Sequence, residues 1–256
     1  LSQEFGVMRG SLWPGLLTTA KRNLSRQRSR IRIFEVGTQF SQKSKEVKET
    51  RVIAGLASGQ LWPEHWKNDN RDIDFFDMKA DLEALFELTN NRNTIDFSSA
   101  EHPALTIGKS ARILNKEREI GWIGELHPEL QQNMNIKSST MLFSLEIESL
   151  LFRQIPSFKS FSKYPSVRRD LALVLDEEIS SDQITNSIRD ISGNQLREIR
   201  IFDVYRGKGI ESNRKSLALG LILQDTSRTL TDRDVDEIIR SVTTHLERTF
   251  KATIRK

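Results

Sequence analysis

Imidazole and thiolate are the commonest side chains for zinc binding and for nucleophile–base pairs. This chain of 256 residues has four histidines, at positions 65, 102, 127 and 245, and no cysteine. No two histidines lie three or four residues apart, the spacing that puts both on one helical face toward a metal. Zero cysteine removes disulfides and thiolate chemistry, and it fits a reducing compartment. A G-x-S-x-G nucleophile elbow and a Walker phosphate loop are both missing. Gly207-Lys208-Gly209 begins like a glycine-rich phosphate loop, but Ile210-Glu211-Ser212 follows without a third glycine, so a hairpin turn is expected. Glu125-Leu126-His127-Pro128 sets a carboxylate near an imidazole and reads as a strand end running into a turn. No catalytic residue and no metal ligand is assigned. The chain reads as a binding or assembly protein before it reads as a catalyst.

The remaining chemistry is cationic. Net charge is +4, and it is shared: residues 1–161 carry 22 basic and 20 acidic groups, residues 162–256 carry 17 and 15. Bulk charge is therefore weak support for nucleic acid, and local clusters matter more. Between Phe5 and Phe34 lie Arg9, Lys21, Arg22, Arg26, Arg28, Arg30 and Arg32 with no acid. That run is either a solvated helix and loop or a surface for an acidic partner.

The elements that position these groups follow from periodicity. Pro14 suits a first helical turn, and Leu16, Leu17, Ala20 and Leu24 recur at helical spacing. Ile31–Val36 and Arg51–Ala57 read as strands ending at glycine. Residues 76–88 read as a helix with Met78, Leu82, Leu85 and Phe86 on one stripe. Short strands are expected near 95–98, 111–114, 119–123 and 142–147, with a turn at Asn115-Lys116. This order predicts an α+β unit over 1–155, a largely antiparallel sheet with helices on one side. Pro156, Ser157, Ser160, Ser162 and Pro165 mark a boundary near 154–163, where Phe158 and Phe161 are expected to pack on something.

The second unit, 162–256, alternates more cleanly. Leu171, Leu173 and Leu175 share one face of a strand, and Leu217, Leu219, Leu221 and Leu223 share one face of another. Ile184, Ile188 and Ile191 stripe one helix behind Ser180 or Ser181, and Val235, Ile238, Ile239, Val242 and Leu246 stripe another behind Thr231. With strands at 199–202 and 252–255 the order is βαββαβ, the ferredoxin-like split motif, whose sheet has one face free of helices.

Two sets of residues resemble one family. Ser162-Lys163-Tyr164-Pro165-Ser166-Val167-Arg168-Arg169-Asp170-Leu171-Ala172, the run Phe202 to Gly209, Lys215-Ser216-Leu217-Ala218 and Leu230-Thr231-Asp232 resemble the ferredoxin-fold anticodon-binding domain of the bacterial phenylalanyl-tRNA synthetase beta subunit. Met8 to Leu17, Phe34-Glu35-Val36-Gly37, Lys79 to Leu85 and Ile120 to Pro128 are similar to that subunit's catalytic-like module.

The resemblance implies a class II synthetase-like antiparallel module that does not itself catalyse. It implies an alpha subunit that binds phenylalanine, ATP and Mg, an (αβ)2 heterotetramer, tRNA-Phe as partner and a cytoplasmic setting. It also implies a longer protein, and the chain, which opens on Leu1, is expected to be its C-terminal part. The family's editing region has no counterpart in these residues. Class II sites hold ATP with Arg-x-Glu on a strand and a later glycine-rich segment ending in Arg. Here Arg32-Ile33-Phe34-Glu35 has one residue too many, which puts the two side chains on opposite faces, and no G-x-G-x-x-R occurs. No cofactor is expected on this chain.

The expected tRNA-contacting residues are Arg168, Arg169, Phe202, Arg206, Lys208, Arg214 and Lys215. Arg168 lies opposite Leu171 by alternation, Phe202 opposite Ile201 as a stacking platform, and the last four cluster at the turn between two strands. The alternative from another class is an assembly scaffold whose helices near 14–28 and 76–88 dock a catalytic subunit without touching RNA. No stretch approaches the roughly 18 apolar residues of a membrane span.

Overall fold

Pro14 opens the first helix, α1 (Trp13–Leu24), and the helix turns Trp13, Leu16, Leu17 and Ala20 inward. The computed structural model describes residues 6–43, 46–68, 70–89, 91, 94–151, 158 and 161–255, and it divides into two compact units, 1–157 and 158–256.

In the first unit, β1 (Arg30–Lys43) and β2 (Glu46–Gly59) form a long antiparallel hairpin. Helix α2 (Phe75–Leu88) follows, held at its start by a capping box in which Asp74 and Asp77 satisfy each other's backbone N–H groups. Then come β3 (Ile95–Ser99), β4 (Leu105–Asn115), β5 (Arg118–Leu126), the short α3 (Pro128–Asn133), β6 (Thr140–Glu146) and α4 (Glu148–Leu151). The sheet order is β1-β2-β6-β5-β4-β3, antiparallel throughout.

The expected α+β layout with an antiparallel sheet is present, but the helices are not confined to one side. Residues of β2 alternate between two cores. Ala57 packs with Met78, Leu82 and Phe86 of α2, whereas Val52, Ala54 and Leu56 pack with Leu16, Leu17 and Ala20 of α1. A strand buried on both faces reads as a continuous apolar run, which Val52–Ala57 is. The hairpin also runs past Gly37, which is no strand end. Gly37 pairs with Val52 inside the ladder, and the atom nearest to a Cβ there is the end of the flexible Arg9 side chain, 2.2 Å away, which can move aside.

In the second unit β7 (Val167–Asp176), α5 (Ser181–Ser192), β8 (Leu196–Tyr205), β9 (Arg214–Leu223), α6 (Asp232–Phe250) and β10 (Thr253–Ile254) give the sheet order β10-β7-β9-β8. This is the ferredoxin-like arrangement. Leu171, Leu173 and Leu175 of β7 and Leu217, Leu219 and Leu221 of β9 meet Ile184, Ile188, Val242 and Leu246 of the helices in one core. Both helices start in a capping box, Ser180 with Gln183 and Thr231 with Asp234.

Phe158 and Phe161 do not pack inward. They are 84% and 85% exposed and meet only edge-on, ring centroids 6.4 Å apart. Residues 152–157 and 159–160 of the expected boundary lie outside the described residues.

The entry to α6 makes the second unit acid-sensitive. The Arg228 guanidinium and the Thr231 hydroxyl hold Asp234 well below the usual carboxylate range. The Ser227 hydroxyl and backbone N–H, with the Gln195 amide, push Asp225 down to about 2. A carboxylate whose pKa is depressed on folding contributes stability that is complete above its unfolded value, near 4, and is lost as pH falls through the folded value. Denaturant unfolding of the second unit is expected to weaken from about pH 4 downward, more steeply in the natural chain than in Asp234→Asn. Equal pH slopes for the two would refute the assignment.

Candidate nucleic-acid interface

Strict alternation along β9 sends its leucines to the helices and leaves Ser216, Ala218, Gly220 and Ile222 on the other face. Register carries that face across the sheet. Arg168 and Asp170 of β7 pair with Ile222 and Gly220, and Glu198 and Arg200 of β8 pair with the same two residues from the other side. A β-bulge then interrupts β8. Ile201 pairs with Leu219 and Asp203 with Ala218, so Phe202 is the extra residue. Bulges re-aim side chains, and Phe202 stands 54% exposed.

Arg168 and Phe202 come together on this face. The guanidinium carbon of Arg168 lies 5.4 Å from the Phe202 ring centre, its Nε donates to Asp170 at 2.8 Å, and it covers the bare Cα of Gly220. A second such pair, absent from the expected set, sits nearby in sequence terms only on one side. Arg255, just after β10, lies 5.8 Å from the ring of Tyr205 at the end of β8. The Tyr205 hydroxyl donates to the carbonyl of Lys208 at 3.3 Å, which ties the ring to the β8–β9 turn. Arg200, paired with Glu198 at 2.6 Å, adds a third exposed guanidinium. Tyr205 and Arg255 were hidden in the sequence by the bulge, which breaks the alternation of β8, and by their origin in strands that are not neighbours.

The other expected residues divide. Arg206 reaches back to Glu177 in the β7–α5 turn at 2.7 Å and holds that carboxylate below its ordinary value. Lys208 is exposed in the turn, where Gly207 and Gly209 have φ of 157° and 93°. This is a turn and not a phosphate loop. Lys215 donates to the Glu177 carbonyl at 2.8 Å. Arg214 is drawn inward, with Nη2 donating to the carbonyls of Val174 and Lys251 at 2.9 Å each. Arg169 pairs across from Leu221 on the helix side and meets Asp232 at the start of α6, 3.1 Å away. Arg168, Phe202, Arg206 and Lys208 are thus accessible on the free face or its turn, while Arg169 and Arg214 are engaged in holding α6.

In the first unit Arg32 pairs with Asp81 of α2 and Glu35 with Arg9, each at 2.6 Å. The two side chains therefore serve opposite faces of β1. Glu125 is taken by Lys109 and Ser139, and His127 caps α3 by accepting the Glu129 N–H, so these two form no catalytic pair. On the α1 side a cavity of about 640 Å³ is lined by Trp13, His102, Trp122, Glu119 and Glu146 among others, with no lysine or arginine among its described lining residues. Among the described residues no group of three or more His, Cys, Asp or Glu gathers to hold a metal. None of the described helices is long and apolar enough to cross a membrane.

Comparison with known proteins adds identity to this geometry. Residues 162–255 match the "Ferredoxin-fold anticodon binding domain". Residues 1–147 match the "Phenylalanyl tRNA synthetase beta chain CLM domain". A phenylalanine–tRNA ligase beta subunit of Pseudomonas syringae pv. tomato is 40% identical over 256 residues, all of this chain and 32% of that protein. One from Nitrosococcus oceani is 42% identical over 257 residues, again 32% of its length. The chain thus spans about a third of the curated relatives it matches. A solved structure of Desulfitobacterium hafniense PylSc, a pyrrolysyl tRNA synthetase, aligns over 56% of this chain and 47% of that one, with 19% identity and a TM-score of 0.40, too distant to support any inference. With one family matched over more than half of its residues and the anticodon-binding fold matched over its second sheet, the chain belongs to the phenylalanyl-tRNA synthetase beta chain family.

Proposed function

We propose that this chain serves a phenylalanine–tRNA ligase by holding the anticodon region of tRNA-Phe on the free sheet face of its second unit. The observation that carries the reading is the pair of exposed ring–guanidinium contacts, Arg168 over Phe202 and Arg255 over Tyr205. Splayed bases stack on aromatic rings and on Arg planes, and phosphates take Lys and Arg. The face offers both kinds of group within one antiparallel sheet. Arg206 and Lys208 at the turn, and Lys215 beside it, supply the phosphate-seeking charges. Arg169 and Arg214 act at one remove, by fixing α6 and β7.

The first unit is read as a silent class II synthetase-like module that docks a catalytic alpha subunit in an (αβ)2 assembly. Phenylalanine, ATP and Mg are bound on that subunit, in the cytoplasm. Two features support this division of labour. A triphosphate needs cationic partners, whereas the module's cavity presents two carboxylates and no described lysine or arginine. Strand β1 is an edge strand and exposes Phe34 at 71% and Val36 at 50%. An exposed apolar edge is a site for another chain. The stripes of α1 and α2 are not available for docking, since both are buried in their own sheet. The described lining of that cavity offers no Lys or Arg for a triphosphate, and no step is assigned to ATP here.

Titration of tRNA-Phe at several salt concentrations tests the RNA reading. Arg206→Ala and Lys208→Ala are each expected to weaken binding and to lower the salt slope by about one unit per lost phosphate contact. Because Arg206 must first leave Glu177, its effect is expected to be the smaller. Unchanged affinity and slope in both variants would remove the turn from the interface. A stable complex with an alpha subunit but no tRNA protection would favour the pure scaffold instead.

A further inference from the structure

We propose that the cavity on the α1 side of the first unit binds small apolar amines, with the apolar body against Trp13, His102 and Trp122 and the ammonium between Glu119 and Glu146. This site lies within the first unit and does not depend on the RNA reading. Its volume, about 640 Å³, suits a small molecule.

One wall is a run of three rings. Trp13 and His102 have centroids 5.2 Å apart at 72°, and His102 and Trp122 are 4.9 Å apart at 58°. The polar edges of both indoles are already used. Trp13 donates to the Phe143 carbonyl at 2.8 Å, and Trp122 donates to Glu119 at 2.9 Å. The rings are thereby fixed, and what they present to a ligand is apolar surface and π-electron density, which attracts cations.

Apart from His102, the acidic and basic residues that line the cavity are two carboxylates, Glu119 and Glu146. Between Ile113–Gly121 and Leu114–Glu119 the β4–β5 register gains a residue, Ile120, and this bulge puts Glu119 on the side of Trp122. Its second carboxylate oxygen lies 4.0 Å from Arg112, a contact at the limit of an ion pair. Glu146, on the neighbouring strand, pairs with Arg118, which does not line the cavity. Burial pushes His102 below its ordinary value against the opposing pull of Glu119, which disfavours the imidazolium. An anion entering this space meets two carboxylates, whose guanidinium neighbours Arg112 and Arg118 are not among the lining residues. An ammonium meets two carboxylates and aromatic faces.

The experiment uses the 256-residue chain and two probes that share a body and differ in charge, 2-phenylethylamine and 3-phenylpropionate. Four tryptophans give four indole N–H signals in a heteronuclear NMR titration, and Trp62 and Trp66 lie outside the cavity as internal controls. The amine is expected to shift the Trp13 and Trp122 signals saturably and to bind about tenfold or more tightly than the acid. Glu119→Gln keeps an oxygen for the Trp122 indole but removes the charge. It is expected to weaken the amine by about tenfold, with Glu146→Gln acting in the same direction. Equal binding of amine and acid, no saturable response of the two indoles at millimolar amine, or amine affinity unmoved in both variants would overturn the proposal. The comparison of the two probes on the unmodified chain decides the matter even if a variant fails to fold.

Discussion

Phe202→Ala is expected to weaken binding of the tRNA-Phe anticodon stem–loop by about 1–3 kcal/mol, roughly 5- to 150-fold, and to leave the unfolding midpoint of the chain nearly unchanged. The first half follows from stacking. A ring held beside a guanidinium on an open sheet is a platform for a base, and its removal also takes away the surface that positions Arg168. The second half follows from the bulge. Phe202 is the unpaired residue of β8, is more than half exposed and is absent from the leucine–isoleucine core beneath the sheet. Leu219→Ala, one strand away and fully buried, is the opposite case, with a stability loss of about 2–5 kcal/mol. The salt slope separates stacking from phosphate contact. Phe202→Ala removes no cation, so affinity falls with the slope unchanged, whereas Lys208→Ala changes the slope. Phe202→Tyr, which keeps the ring, is expected to retain most of the affinity. Wild-type affinity in Phe202→Ala, or a fall in stability that accounts for the loss, would sink the platform.

The second unit was legible because its determinants are local. A two-residue period in Leu217–Leu223 needs no partner to be read, and Ser180 and Thr231 cap α5 and α6 through bonds to residues three positions on. The first unit was read less well because its determinants are distant. Gly37 looks like a stop until its pairing with Val52 is seen, and the long hairpin continues through polar residues that carry no periodic signal. The placement of helices on both faces depended on noticing that Val52–Ala57 is an apolar run and not an alternation. The interface divides in the same way. Alternation alone puts Arg168 on the free face. It could not foresee that Arg214 would be drawn to the carbonyls of Val174 and Lys251, or that Arg255 and Tyr205 would meet from non-adjacent strands. Those outcomes depend on the C-terminal end of α6 and on a bulge in β8, which are tertiary facts.

A large stability effect in the first unit is expected at Gly121. Gly121-Trp122-Ile123-Gly124-Glu125 is among the residues that carry the family resemblance, and a motif in a synthetase-like module invites a catalytic reading. The structure gives Gly121, Trp122, Ile123 and Glu125 local packing or pairing reasons instead. Ile123 is fully buried against α2, Trp122 lines the cavity and is tied to Glu119, and Glu125 is paired with Lys109. At Gly121 an added Cβ would lie 2.0 Å from the Ser144 carbonyl oxygen and 3.0 Å from the Leu145 Cα, both backbone atoms of the partner strand β6. Backbone cannot swing aside as a long side chain can, so even Gly121→Ala must push β5 from β6 near the middle of the six-stranded sheet. A cost of about 3 kcal/mol or more is expected in denaturant unfolding of the first unit, at the upper end of overpacking effects. Gly108→Ala is the informative control. Gly108 has φ of 78° but nothing within 4 Å of an added Cβ, so only the left-handed backbone penalty of about 1–2 kcal/mol applies. If the two substitutions cost the same, close approach is not what requires glycine at 121. If Gly121→Ala costs the larger amount while tRNA binding by the second unit persists, the motif belongs to the scaffold of the module and not to its chemistry.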